Sequence, residues 1–165
     1  MAWMACSVNL TNMVSIPEIA AVPALHCAVI RFTIPRSRIR SAMESGVNEL
    51  RAVIAEQGIR AIGPLFSHHF AIRPDVFDFE VGMPVQRPVK PTGRVQPLSV
   101  PPMKIVRSGY TGAYTGLGSA WGEFDTLVAR SGYNTAPDVW ESYVKGADSG
   151  LEPEEYYTEL YRSVV

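Results

Sequence analysis

Two segments of this chain share the spacing of apolar residues that marks one face of an α-helix. In "MESGVNELRAVIAEQGI" the apolar positions are Met43, Val47, Leu50, Val53 and Ile54; in "LGSAWGEFDTLVARSGY" they are Leu117, Trp121, Phe124, Leu127 and Val128. Steps of three and four residues put each set on a single stripe. Slid by 74 residues (Met43 onto Leu117), the segments align without a gap, and Ser45, Glu49, Ala55 and Gly58 fall on Ser119, Glu123, Ala129 and Gly132. The glycine after each run predicts the helix stop. At this spacing Trp121 reads as a core residue of its helix.

On either side of each helix the pattern turns to alternation. A Val-Pro corner precedes each, at Val22-Pro23 and Val100-Pro101, flanked by alternating apolar segments. After the helices come "LFSHHFA" and "VWESYVK", then "PDVFDFEVGMPV" and "PEEYYTELYRSV". In this last pair, Pro74 and Glu80 precede Pro153 and Glu159 by 79 residues. Each half therefore predicts strand-strand-helix-strand-strand, joined by the Pro/Gly-rich connector "QRPVKPTGRVQP". The expected fold is α+β: tandem-duplicated modules with antiparallel sheets, related by a pseudo-twofold, with a cleft between the halves. Repeat 1 spans about residues 14–86 and repeat 2 about 94–165. Residues 1–12 read as an extension and 13–165 as a single domain.

The glutamate strands raise the chemical question. Strand alternation puts Phe77, Phe79 and Val81 on one face and Asp78, Glu80 and Gly82 on the other. Likewise Tyr156, Thr158, Leu160 and Arg162 oppose Tyr157, Glu159 and Tyr161. The apolar face should cover the helix and the glutamate face should look into the cleft. All seven tyrosines follow residue 100, whereas five of the six phenylalanines precede it. A tyrosine adds a hydroxyl that can reach a ligand, so the second copy reads as the chemical wall. The expected cleft holds Glu159 with Tyr110, Tyr157, Trp140 and Phe66, and Glu80 opposite; Tyr114, Tyr161 and His69 are further ligand-binding candidates. A carboxylate among rings should have a raised pKa, and could bind a cation, accept a hydrogen bond or act as a base.

Composition excludes more than it assigns. With 165 residues, 47% hydrophobic and 19% charged, this is an ordinary globule. A net charge of -1 gives no general attraction to nucleic acid or anionic membrane. "RFTIPRSRIR" carries Arg31, Arg36, Arg38 and Arg40 and reads as a solvated face. Cys6 and Cys27 form no zinc or CxxC pattern, and with no signal peptide or apolar membrane span a cytoplasmic protein is expected. "GAYTGLGS" lacks the Gly-Lys-Ser/Thr ending of a phosphate loop. His68 and His69 are adjacent in a strand and point to opposite faces, so neither a metal nor any other cofactor is expected.

Taken together, "LRAVIAEQGI", "GPLFSHH", "FDFEVGMPV", "YTGAYTGL", "AWGEF" and "TELYRSV" resemble the GyrI-like small-molecule-binding family over roughly residues 25–165. The family's turn motif Tyr-His-Gly-Pro-Tyr-Glu-Gly-Leu is matched at Tyr110, Gly112, Tyr114, Gly116 and Leu117, and departs at Thr111, Ala113 and Thr115. The resemblance implies two strand-helix-strand-strand units around a cleft. It also places the family's acidic pocket residue on Glu159, matched by Glu80 in the preceding copy. Only about a dozen residues precede the domain, so a single-chain DNA-binding regulator is not expected. The expected partner is an aromatic small molecule, with no direct nucleic acid, no membrane, and a monomer or weak homodimer. The resemblance implies binding of planar aromatic xenobiotics and hydrolysis of strained cyclopropane-bearing DNA alkylators, giving protection or self-resistance. Glu159 would act on water while Tyr110 or Tyr157 donates to the developing oxyanion. The alternative is non-catalytic sequestration of lipophilic, cationic drugs.

Overall fold

Both amphipathic stripes form helices, and each helix ends where a glycine takes the left-handed conformation: Gly58 has φ 63° and Gly132 φ 77°. The protein is described here by a computed structural model covering residues 13–165; the extension over residues 1–12, including Cys6, lies outside the described residues. The elements run β1 (Glu18–Val22), β2 (Leu25–Pro35), α1 (Ile39–Glu56), β3 (Phe66–Ile72), β4 (Val76–Val85), β5 (Gln96–Val100), β6 (Met103–Thr111), α2 (Leu117–Arg130), β7 (Val139–Lys145) and β8 (Tyr157–Ser163). The expected order of strand-strand-helix-strand-strand is therefore present twice.

The strands form one antiparallel sheet in the order β1-β6-β8-β7-β3-β4-β2-β5. Strand pairing departs from two self-contained halves, because β1 pairs with β6 and β5 with β2, so each copy lends its first strand to the other. Glu18 faces Arg107 and Val22 faces Met103; past the corner, Leu25 faces Val100 and Val29 faces Gln96. Both ladders keep one register, interrupted only at the Val-Pro corners, where Pro23, Pro101 and Pro102 have no N–H to donate. The bent ribbon curls the sheet into a half-barrel. Leu25, Leu98 and Met103 of the ribbon thereby pack with Phe66 and Trp140 of the central strands, inside the curl.

The repeat extends to irregularities. A register shift between His69 and Ala71 in β3 recurs between Tyr143 and Lys145 in β7, again 74 residues later. The helices differ by one turn: α1 has 18 residues and α2 has 14. The four extra residues are Ile39–Ala42, before the aligned pair Met43 and Leu117. Both helices lie on the outer face. α1 buries Leu50, Val53 and Ile54 against β2 and β4, and α2 buries Ala120, Phe124 and Val128 beside β6 and β8. Between the helices, β3 and β7 form the floor of a cleft.

Candidate functional site

The cleft between α1 and α2 has a volume of about 1340 Å³ and joins both repeats. Much of its wall is apolar. Ile39, Met43, Val47 and Ile54 come from α1, and Leu117 and Trp121 from α2. Apolar walls of this size with a few polar groups suit a small organic ligand.

The polar groups converge on Glu141 of β7. Its Oε1 accepts a hydrogen bond from Trp121 Nε1 at 2.8 Å, and its Oε2 accepts one from the Tyr143 hydroxyl at 2.7 Å. With the Tyr143 proton directed at the carboxylate, the 2.8 Å contact between Tyr143 Oη and Ser67 Oγ makes Ser67 the donor. Glu141 is 9% exposed and Ser67 fully buried. Burial pushes the Glu141 carboxyl above the ordinary carboxylate range, and the bonds from Tyr143 and Trp121 pull it partly back. Burial, with the Glu141 charge second, drives the Tyr143 phenol well above its usual value, so it stays protonated. Two donors leave further acceptor capacity on the carboxylate, which can meet a ligand cation or N–H group.

Tyr114 packs edge-on against Tyr143, with ring centroids 5.6 Å apart, and its hydroxyl accepts from Ala147 N–H at 3.2 Å. His69 stacks on Phe79 at 5.0 Å. Burial first, then the neighbouring His68 and Arg36, lowers its pKa to about 4, and its Nδ1 is buried without a hydrogen-bond partner. At the rim, Arg51 of α1 forms an ion pair with Asp148 from the loop after β7. No group of three or more His, Cys, Asp or Glu that could hold a metal occurs among the described residues. No helix among them is long and apolar enough to cross a membrane.

Of the residues singled out in the sequence, the structure brings Tyr114 and His69 into this cleft. Tyr110 faces the same side but is 5% exposed in the α2 core, and its hydroxyl donates to Ala113 O at 2.8 Å, closing the turn. Glu80, Glu159, Tyr157, Tyr161, Trp140 and Phe66 lie on the opposite face, inside the curl. The alternation along β4 and β8 is as expected, and so is the packing of the apolar face on the helices. The placement of the glutamate face differs, because the cleft opens on the helix side of the sheet.

Inside the curl these residues make contacts of their own. Glu80 Oε1 lies 3.2 Å from His68 Nδ1, and Asp138 Oδ2 lies 2.6 Å from His68 Nε2. Trp140 stacks between His68, at 3.6 Å, and Tyr161, at 5.7 Å, with Phe66 tilted against it. Tyr157 packs over Gly109 and, with Glu159, Arg107 and Glu18, borders a polar recess of about 40 Å³. Burial, then the Glu159 charge, raises the Tyr157 phenol.

The residues that sequence reasoning missed are Glu141, Tyr143, Ser67 and Trp121. "VWESYVK" carried a usable signal, since Glu141 and Tyr143 are two apart on one face of a strand whose face includes Val139. Helix spacing puts Trp121 in the core; it packs against Phe124 and also donates to Glu141.

The fold matches solved structures at low sequence identity. The EcmrR C-terminal domain is 19% identical, with a TM-score of 0.81 over 90% of this chain and 96% of that one. In the EcmrR–DNA complex the chain spans 57% of the longer protein, covering 92% of itself at 18% identity with a TM-score of 0.80. SAV2435 bound to tetraphenylphosphonium is 15% identical, with a TM-score of 0.65 over 90% of this chain and 93% of that one. A hydrolase from Listeria innocua encoded by lin2189 is 14% identical, with a TM-score of 0.66 over 90% and 91%. No curated protein matches the chain. The family model for the GyrI-like small molecule binding domain matches residues 16–164, almost the whole described chain, and the protein is a member of that family.

Proposed function

We propose that this domain binds planar, cationic aromatic compounds in the cleft between α1 and α2, with Glu141 as the charge partner. The observation that carries this reading is Glu141 itself: a carboxylate 9% exposed on the floor of an apolar cleft, held by Trp121 and Tyr143. A carboxylate in such a site gains most when a cation replaces the lost water, and aromatic rings offer their faces to the same ligand. The tetraphenylphosphonium bound to SAV2435, an aromatic cation of tetrahedral shape, supports the aromatic and cationic character of the ligand. Titration with ethidium tests it. Quenching of tryptophan fluorescence that Glu141→Gln weakens is expected; no heat and no spectral change would sink the reading.

A second reading, hydrolysis of a strained cyclopropane in a DNA-alkylating compound, is favoured by one observation. The Tyr114 hydroxyl accepts from Ala147 N–H, leaving its own proton to donate beside a carboxyl whose pKa is raised. In that chemistry Glu141 takes a proton from water, the oxygen bonds to a ring carbon, and the electron pair of the broken C–C bond passes into the conjugated carbonyl. The developing oxyanion accepts a hydrogen bond from a phenol, and the proton that Glu141 took from water ends on that oxygen, restoring the carboxylate. The Listeria innocua hydrolases are in keeping with this. Glu159, Tyr110 and Tyr157 remain the competing assignment. Incubation with a cyclopropane alkylator, read by mass spectrometry for a water adduct, tests turnover; consumption no faster than in buffer removes it and leaves binding.

A further inference from the structure

The two repeats supply equivalent positions to the cleft, and those positions have diverged in charge. His69 and Tyr143 are 74 residues apart and occupy matching places before the repeated register shift. The short 3-10 turns ahead of the helices correspond as well, Arg36–Arg38 in the first repeat and Tyr114–Gly116 in the second. In element order Arg36 thus corresponds to Tyr114, and both line the cleft. The extra first turn of α1 adds Arg40, one turn after Arg36, and Arg40 lines the cleft too. Apart from the Arg51–Asp148 pair at the rim, the second repeat contributes the Glu141 carboxylate and phenols, and the first contributes two guanidinium groups with Glu44.

The arginines are unneutralised. The Arg36 guanidinium lies on the Phe77 ring at 4.4 Å, and its Nη1 donates to Arg73 O at 3.1 Å. Among the described residues, the rim ion pair joins Arg51 to Asp148, while neither Arg36 nor Arg40 has a carboxylate within ion-pair distance. Glu44, one turn beyond Arg40, also lines the cleft, so the rim is not uniformly basic. The first turn of α1 contains no acidic residue. Beside Arg36, His69 is held neutral, and its buried Nδ1 lacks a partner. A simple lipophilic cation filling this cleft would leave one end of its volume facing two guanidinium groups that have no carboxylate partner among the described residues.

We propose that the cleft is built for dipolar ligands: aromatic compounds whose cationic part lies over Glu141 and whose carboxylate, or similar anionic substituent, reaches Arg36 and Arg40. This rests on the reading of the cleft as a site for planar aromatic cations and adds the second pole. Arginine is suited to the role because its planar fork meets a carboxylate with two parallel N–H donors.

The test compares rhodamine B, a cationic xanthene with a free carboxylate, with its ethyl ester, by fluorescence anisotropy at neutral pH and low salt. Wild-type protein should bind the acid roughly three- to tenfold tighter than the ester, the range for partly exposed charge-assisted contacts. In Arg36→Gln, Arg40→Gln and the double variant, that ratio should fall towards one. Glu141→Gln should weaken both dyes and keep the ratio. Added salt should erode the acid's advantage first. Equal binding of acid and ester, or a preference that survives the double variant, overturns the dipolar assignment and leaves the aromatic-cation reading standing. If neither dye binds, both fall together. Both arginines are exposed, so loss of folding in the variants is not a competing explanation.

Discussion

Ser67 and Glu141 face each other across the β3–β7 ladder, and they are the same position in the two repeats, 74 residues apart. The pseudo-twofold therefore passes between them. A position on such an axis meets its own copy, so two glutamates here would be like charges side by side in a buried site. One would have to keep its proton. Ser67 avoids the conflict and donates, through Tyr143, into the network that holds the single carboxylate.

Restoring the symmetry should recreate the conflict. Ser67→Glu is expected to lower the melting temperature, and more at pH 8 than at pH 5, since a shared proton raises the carboxyl pKa and that stability is lost as pH rises. Thermal melts at the two pH values check this. A variant with equal or better stability at pH 8 would show that the pair is not desolvated.

Neutralising Glu141 should separate charge from shape. Glu141→Gln keeps the acceptor for Trp121 and removes the charge, and ethidium binding should weaken by about 1.5–3 kcal/mol, the worth of a hydrogen bond or contact to a charged group. Calorimetric titration reads it. Undiminished affinity would place the ligand elsewhere.

Glu141 also predicts a pH slope. Its folded pKa is raised above the usual 4.5, so its contribution to stability is complete below that value and is lost as pH rises through the folded pKa. The Glu141 part of wild-type stability should therefore fall as pH rises from about 4.5, against the opposite slope of His69, whose pKa lowered to about 4 adds stability as pH rises toward 6.5. In Glu141→Gln that part of the slope should disappear. Chemical denaturation across the window checks the sign.

Trp121→Phe keeps a ring in the cleft wall and deletes the N–H that Glu141 accepts. The loss of one bond to a charged group should cost roughly 1–2 kcal/mol of stability. Without it the Glu141 carboxyl should rise further, moving the pH slope upward. An unchanged pH profile would mean that Trp121 serves only as packing.

Glu159→Gln decides between the two faces of the sheet. Glu159 lies inside the curl beside Arg107 and Tyr157, away from the cleft. Ethidium binding, and any turnover of a cyclopropane alkylator, should survive this change within about twofold, as a substitution outside the site predicts. A loss equal to that of Glu141→Gln would return the site to the inner face.

What the chain determined locally was legible in it. Helix stripes, the stops at Gly58 and Gly132, strand alternation and the duplication are short-range patterns, and each appears where its spacing puts it. Pro23 and Pro101 likewise mark the corners. The exchange of β1 and β5 between the repeats was not legible, since strand pairing is set by contacts between segments far apart in sequence. The same limit governed the site. Alternation says that Glu80 and Glu159 share a side opposite Phe79 and Leu160, but not which side the ligand uses. Only the packed structure shows the two helices leaving β3 and β7 uncovered between them, and so exposing Glu141 with Tyr143 in place of the glutamates of β4 and β8. Trp121 shows both levels at once: helix spacing put it on the buried stripe, while its hydrogen bond to Glu141, 20 residues on, depended on where the helix and the sheet met.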